Sequence, residues 1–456
     1  MRAITWTFWG LLALLSGAWL MADPRLFTAT GFFAVRDMAT QATGLLAIGC
    51  MSVAMVLAVR PRWPERTLGG LDKMYRLHKW LGIGGVVFAV LHWLWVEAPK
   101  WAVGWGLLER SGHGPREAVA NPVEQALLNL RSPAEGIGEW AFYGLLALAS
   151  LALIRWFPYR LAFKAHRLMA VAYLALAFHA VVLVKFSYWT TPVGLVLAPL
   201  LAAGVVSAVL VLFGRVGANR RVGGRIAGLR SYPGLHALEV DVALDRGWPG
   251  HDAGQFAFLT TDASEGSHPY TIASAWDRQN PHLTFVIKAL GDHTSRLAET
   301  LTVGQPVTVE GPYGCFTFGE APTADRQIWV GGGIGLTPFI ARMRQLATGR
   351  TTRTEAEAGT GTPRVDFFHT TKEVDDAALA RLATEAEAAG VRLHVLVDGR
   401  DGLLTGARIR KAVPDWAAAS LWFCGPAGFG AALKEDFASH GLAVDTCFHQ
   451  ELFAMR

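Results

Sequence analysis

Six apolar runs fill the first half of this 456-residue chain, each close to the roughly 20 residues that cross a bilayer's hydrocarbon core as a helix. They cover approximately Ile4–Leu20, Thr43–Val59, Trp80–Val96, Trp140–Ile154, Leu168–Val184 and Val193–Phe213. In lipid every backbone polar group needs an internal partner, so such runs are read as helices. Composition agrees: 52% of residues are hydrophobic and 17% charged, against roughly 25% charged in a typical soluble protein. Many of the 17 tryptophans lie near the ends of the runs, where indoles favour the membrane interface. The first run reads as a membrane helix in preference to a signal peptide, because no small-x-small cleavage site follows and more spans do.

Loop charge sets the orientation. Arg60, Arg62, Arg66, Lys73, Arg76 and Lys79 lie between the second and third runs. Arg155, Arg160, Lys164 and Arg167 lie between the fourth and fifth, and Arg215, Arg220, Arg221, Arg225 and Arg230 follow the sixth. The opposite loops are poorer in cations. By the positive-inside rule the chain is expected to be a multi-pass inner-membrane protein with both termini cytoplasmic. The net charge of +5 then records topology and lipid headgroups, and no nucleic-acid partner is expected. Cys50, Cys315, Cys424 and Cys447 show no paired spacing and read as reduced thiols.

Beyond Arg230 the pattern changes. Short alternating runs with Gly and Pro punctuation up to about Phe318 predict strands of a β-barrel. From Gln327 strand and helix patterns alternate, as in a parallel α/β domain. The stretch Thr348–Pro363 reads as a surface insertion. The expected architecture is a membrane all-α six-helix domain over residues 1–215, a cytoplasmic β-barrel over 222–320 and an α/β nucleotide-binding domain over 325–456.

Of the 14 histidines, His78, His92, His166 and His179 lie in or at the mouths of apolar runs, paired on the third and fifth spans at separations of 14 and 13 residues. Either separation is roughly 20 Å along a helix, so each helix offers one imidazole near each membrane face. Ionisable groups at membrane depth are costly and usually functional. Two such helices can hold two haems, each with two axial histidines. His78 and His166, beside the basic loops, are assigned to the inner haem, and His92 and His179 to the outer. Thirteen residues miss the starting face by about 140°, so either the fifth span is irregular or its ligands approach from different sides. Gly82, Gly84 and Gly85 fit either close approach of a macrocycle or ordinary helix packing.

Two motif groups follow. His268-Pro269-Tyr270-Thr271 precedes Val286-Ile287-Lys288, Gly291-Asp-His293-Thr294-Ser295 and Glu310-Gly-Pro-Tyr-Gly314. Together they supply an aromatic and a hydroxyl for an isoalloxazine ring, with main-chain amides and Thr294 for a pyrophosphate. Trp329-Val-Gly-Gly-Gly333-Ile-Gly335-Leu-Thr337-Pro338 places a glycine-rich turn between strand and helix, where phosphates approach backbone N–H groups. Phe423-Cys424-Gly425-Pro426-Ala427 closes a later strand, with Cys424 either touching a nicotinamide or filling the core.

These residues resemble the ferric reductase and NADPH oxidase family of transmembrane flavocytochromes over nearly the whole chain. The resemblance implies two b haems, FAD and NADPH or NADH as cofactors, and electron transfer from cytoplasmic NAD(P)H to an extracytoplasmic acceptor. It implies roles for Thr271, Cys424 and Phe453 around the flavin, the tail Phe448-His-Gln-Glu-Leu-Phe453 being similar to the oxidase ending. Two departures leave the acceptor open among a ferric complex, oxygen, quinone and a periplasmic protein. Val96 stands where the oxidases carry a further histidine, and the loop Glu97–Glu139 is this chain's own. Lys372, after the strand at Val365–His369, favours NADPH over NADH.

Overall fold

A computed structural model describes residues 2–23, 28, 30–109, 121–153, 159–318, 326–349 and 363–451, with backbone alone at 2, 153 and 159–164. The chain divides into two compact units: residues 1–68 with 73–216, and 69–72 with 217–456.

The first unit is helical: α1 (Arg2–Ala22), α2 (Phe32–Ala58), α3 (Trp63–Leu68), α4 (Leu71–Gly104), α5 (Pro122–Asn129), α6 (Arg131–Leu153), α7 (Tyr159–Leu183) and α8 (Pro192–Leu212). Among the described residues five helices are long and apolar enough to cross a membrane: α1, α2, α4, α7 and α8. Their shared core includes Leu15, Trp19, Met38, Tyr173, Leu197 and Ala208. A polar bond inside it, Ser52 Oγ to Tyr173 Oη at 2.8 Å, satisfies both hydroxyls.

α4 departs from the expected boundaries. With 34 residues it is about 51 Å long, well beyond a roughly 30 Å core. Lys73, Arg76 and Lys79, expected in a loop, lie on this helix. Lys and Arg are good helix formers, so the helix continues past its apolar stretch. α7 runs unbroken from Tyr159 to Leu183, so the 13-residue separation of its histidines is not absorbed by a gap in the helix.

The second unit carries two sheets. The first joins six antiparallel strands in the order β4-β3-β6-β1-β2-β5: β1 (Arg221–Tyr232), β2 (Ala237–Leu244), β3 (Phe256–Thr260), β4 (His268–Thr271), β5 (His282–Lys288) and β6 (Pro306–Tyr313). A bridge between Ile272 and Phe285 brings the sheet's two ends together. The inward residues Ile226, Val240, Val242, Phe285 and Val309 form its core. The helix α9 (Asp292–Thr300) follows β5.

The second sheet is wholly parallel, in the order β11-β10-β7-β8-β9: β7 (Arg326–Gly332), β8 (Arg364–Thr371), β9 (Arg392–Val397), β10 (Ser420–Cys424) and β11 (Phe448–Gln450). Its strands are near-continuous apolar runs, as burial on both faces requires. Trp329, Phe339, Phe367 and Trp422 fill one side. The strand order reverses between β7 and β10, the kind of position where doubly wound sheets bind ligands at their carboxyl ends.

Candidate functional site

Each histidine of α4 meets one of α7. The His78 and His166 rings lie 5.9 Å apart between centroids, and those of His92 and His179 lie 6.1 Å apart. Two metal–nitrogen bonds of about 2 Å, with about 1 Å from nitrogen to ring centre at either end, require roughly 6 Å. Both pairs therefore fit an iron between them. Three rings also have a fixed proton position. His78 Nδ1 lies 2.9 Å from the Ala54 carbonyl, His92 Nδ1 2.9 Å from that of Thr40, and His179 Nδ1 2.9 Å from that of Ala134. A carbonyl only accepts, so each Nδ1 carries the hydrogen and Nε2 keeps its lone pair. Such outer hydrogen bonds orient metal-ligating imidazoles and raise their basicity.

The three glycines named in the third span separate. Added Cβ atoms at Gly84 and Gly85 would meet Phe8 and Met51, so both serve helix packing, whereas Gly82 faces open space. The glycines against the histidines are others, Gly44 and Gly138.

In the second unit, His268, Pro269, Tyr270 and Thr271 form β4, which pairs with Phe256–Leu259 of β3. His268 stacks on His293 at 4.0 Å and 11°. Burial, and then the neighbouring His293, lowers the His268 pKa to about 4. Glu265 lies 3.9 Å from His293 and 3.4 Å from Arg296. Thr294 Oγ1 accepts from the Leu290 and Gly291 N–H groups, so this hydroxyl shapes the start of α9. Ile287 points into the core, while Lys288 pairs with Glu373 at 2.7 Å. The β4 residues, the paired rings and the first turn of α9 thus gather into one polar cluster.

The nucleotide motifs also converge. Gly333, at φ +57°, lies in the left-handed region that favours glycine. A Cβ on Gly335 would stand 2.2 Å from the Cys424 carbonyl, and one on Gly425 would stand 3.2 Å from Gly332. The turn after β7 and the turn after β10 therefore touch at the switch point, through atoms that only glycine permits. Thr337 donates to the Ile334 carbonyl at 2.7 Å, with Pro338 following in the first turn of α10 (Thr337–Ala347). A cavity of about 70 Å³ is lined by Lys288, Gly333, Ile334, His369 and Thr371, among others. His369 is buried, with Nδ1 3.2 Å from the Gly331 carbonyl, and burial lowers its pKa to about 4.

Cys424 is fully buried in the core of the parallel sheet. Burial, and then the nearby Glu451, pushes its thiol pKa well above the ordinary value. Glu451, 5% exposed, was not singled out from sequence. Phe453 lies outside the described residues, as do most of 348–363 and residues 110–120 of the loop after α4.

These features define a helical membrane unit with paired histidines, followed by a reductase of the flavin and dinucleotide type. Residues 43–177 match the family model described as the ferric reductase like transmembrane component, and residues 229–317 match an FAD-binding domain. This is the domain architecture of the ferric reductase and NADPH oxidase family.

Among curated relatives, the reductase component of propane 2-monooxygenase from Rhodococcus jostii is 26% identical over 209 residues, covering 43% of this chain and 54% of that protein. Ferric reduction oxidase 5 of Arabidopsis thaliana is 39% identical over 82 residues, 17% of this chain and 12% of that one. Ferric reduction oxidase 7, chloroplastic, from the same plant is 27% identical over 295 residues, 59% of this chain and 35% of that one. The chain spans about half, or less, of the length of these relatives.

Proposed function

We propose that the chain is a transmembrane oxidoreductase carrying electrons from cytoplasmic NAD(P)H, through FAD and two b haems, to an extracytoplasmic acceptor, in the manner of a ferric reductase. The observation that carries this reading is the pair of imidazole couples, 5.9 and 6.1 Å between ring centres, shared by two apolar helices. His78 and His166 would hold the haem nearer the cytoplasm, and His92 and His179 the outer one. α6 is read as the sixth span, both termini as cytoplasmic, and residues 1–215, 222–320 and 325–456 as the membrane, FAD and nucleotide domains. The closed antiparallel sheet is read as the barrel of the FAD domain.

When bound, FAD would accept the two electrons of one hydride and release them singly, and the haems would carry one electron at a time. The chain's own residues do the positioning. Gly333, Gly335 and the first turn of α10 offer backbone N–H groups to the dinucleotide phosphates. Thr337, bonded to Ile334, keeps that turn closed, and Pro338 starts the helix. His268, Pro269, Tyr270 and Thr271 line the flavin's seat along β4, with the backbone of Ile287 and Lys288 at the end of β5. His293, Thr294 and the start of α9 receive its pyrophosphate. The turn Cys424-Gly425-Pro426, closed on Gly332 and Gly335, limits how deep the nicotinamide enters. Lys372 is assigned to the 2′-phosphate of NADPH.

The test is NADPH oxidation by the full chain in proteoliposomes with trapped ferric chelate, oxygen or quinone. Acceleration by the chelate, with a b-type α-band in the dithionite-reduced spectrum, is the expected result. Absence of that band overturns the haem assignment. Superoxide formed in proportion to NADPH, without chelate, makes the protein an oxidase instead. No acceleration by any of the three points to a periplasmic protein as acceptor.

A further inference from the structure

The two glycines against the outer histidines follow one rule that helix packing alone does not explain. His92 donates to the carbonyl of Thr40, and the glycine beside its ring is Gly44. His179 donates to the carbonyl of Ala134, and the glycine beside its ring is Gly138. In both cases the glycine lies four residues after the acceptor. In an α-helix that residue's N–H already bonds the same carbonyl, and its side chain stands over it on the same face. A carbonyl has a second lone pair, which a Cβ at the fourth position can screen from a closely approaching ring.

The distances bear this out. A Cβ at Gly138 would stand 1.9 Å from His179 Nδ1 and 2.5 Å from Cε1, and one at Gly44 would stand 3.0 Å from His92 Nδ1 and 3.1 Å from Cε1. For both glycines the three nearest atoms all belong to the histidine, whereas Gly84 and Gly85 face ordinary apolar side chains. The inner histidine His78 reaches the Ala54 carbonyl past the methyl of Ala58, the fourth residue on, in the last turn of α2. A methyl at that position is therefore tolerated there. At Gly44 and Gly138 the ring lies so close that an added methyl would overlap it, and the glycine is required.

We propose that Gly44 and Gly138 are positioning residues for the outer pair: each opens an already hydrogen-bonded helix carbonyl of α2 or α6 to an imidazole Nδ1–H. They thereby fix both outer ligands with Nε2 facing inward. The inference rests on the reading of His92 and His179 as haem ligands. It assigns the electronic tuning of that site to two backbone carbonyls, which no side-chain motif records. Donation from Nδ1–H to a carbonyl strengthens the imidazole as a ligand, so loosening either bond shifts the site's potential.

The experiment compares Gly138→Ala, Gly44→Ala and Gly10→Ala in the full-length protein purified in detergent. Haem per chain, the low-spin EPR signals of the oxidised protein, a redox titration and bound FAD are the readouts. Gly138→Ala is expected to keep its FAD and lose about half of the wild-type haem. Gly44→Ala, where the overlap is milder, is expected to keep both haems while one EPR signal and one midpoint potential move. Gly10→Ala, on an exposed turn of α1 where the added methyl enters open space, is expected to match the wild type. If Gly138→Ala fails to accumulate, Gly44→Ala decides. Wild-type haem content, EPR signals and potentials in Gly44→Ala overturn the proposal. Wild-type protein without any b-type spectrum instead overturns the haem reading on which it rests.

Discussion

The two units build their sites from opposite materials. In the proposed membrane site four side chains would do the holding, and backbone carbonyls aim three of them. In the proposed reductase site the backbone would do the holding, through turns at Gly333, Gly335 and Gly425, while the Cys424 side chain retreats into the core. The contrast follows from the ligand proposed for each unit. An iron needs lone pairs at about 2 Å, which only side chains reach. A pyrophosphate needs many N–H donors on a concave surface, which a glycine-rich turn and a helix start provide. A substitution that removes a side chain should therefore damage the first site, and one that adds a side chain should damage the second.

The largest effect is expected from removing an imidazole. His92→Ala or His179→Ala should abolish one of two haems and lower transfer to an external acceptor by more than about 100-fold, since the outer relay is lost. Flavin reduction by NADPH under anaerobic stopped flow should be unchanged. Loss of that flavin step in the same variants would break the division of labour. The reverse experiment adds a side chain to the reductase: Gly335→Val forces a branched group toward the Cys424 carbonyl, 2.2 Å from where its Cβ would stand. Hydride transfer should fall at least about 10-fold, with stability reduced by roughly 2–4 kcal/mol, while dithionite still reduces both haems. Unaltered hydride transfer would show that the two turns do not form the nicotinamide site.

Acid should sharpen the contrast next. His369 is buried and His251 half-buried in the reductase unit, bonded to the Gly331 and Ser274 carbonyls, and desolvation lowers each pKa from 6.5 to about 4. The folded state then binds fewer protons than the unfolded state between those values. Their contribution is full above pH 6.5 and is lost as pH falls toward 4, by up to roughly 3 kcal/mol each. Chemical denaturation of the reductase unit between pH 7.5 and 4.5, followed by FAD release, should show this slope. His251→Gln with His369→Gln should flatten it, and an unchanged slope would assign the acid sensitivity to other groups.

Much of this was legible in the sequence because two kinds of signal are local. Apolar length marks the spans, and glycine-rich turns between strand and helix mark the dinucleotide motifs. The histidine separations on α4 and α7 were enough to propose the two pairings seen in the structure. What stayed hidden depends on distant chain segments. Nothing near Gly44 or Gly138 in sequence announces His92 or His179; only the packed bundle does. The side chain of Ile287 belongs to a flavin motif by position, yet strand alternation sends it into the core. A charge reads as the end of a span and so puts Lys73, Arg76 and Lys79 in a loop, whereas α4 carries all three. Glu451 went unnoticed because a lone acid near a chain end is usually solvated, and its 5% exposure arises only when β11 docks on β10.

The smallest effect concerns the choice of nicotinamide, which turns on the end of β8. Lys372 is exposed there, while its neighbour Glu373 is neutralised by Lys288 at 2.7 Å. The pairing matters for Lys372: an unpaired carboxylate beside it would repel a 2′-phosphate, and the Lys288 ammonium removes that repulsion. Lys372→Ala should therefore raise the KM for NADPH about 5-fold, the scale of one solvated charge pair of roughly 1 kcal/mol, with kcat and all NADH parameters unchanged. Lys288→Met should act in the same direction on NADPH by freeing Glu373, and should weaken further as salt is raised and the charges are screened. Equal effects on NADH and NADPH would move the 2′-phosphate away from β8. The reductase site would then discriminate its substrate by backbone shape alone, just as it holds the rest of the dinucleotide.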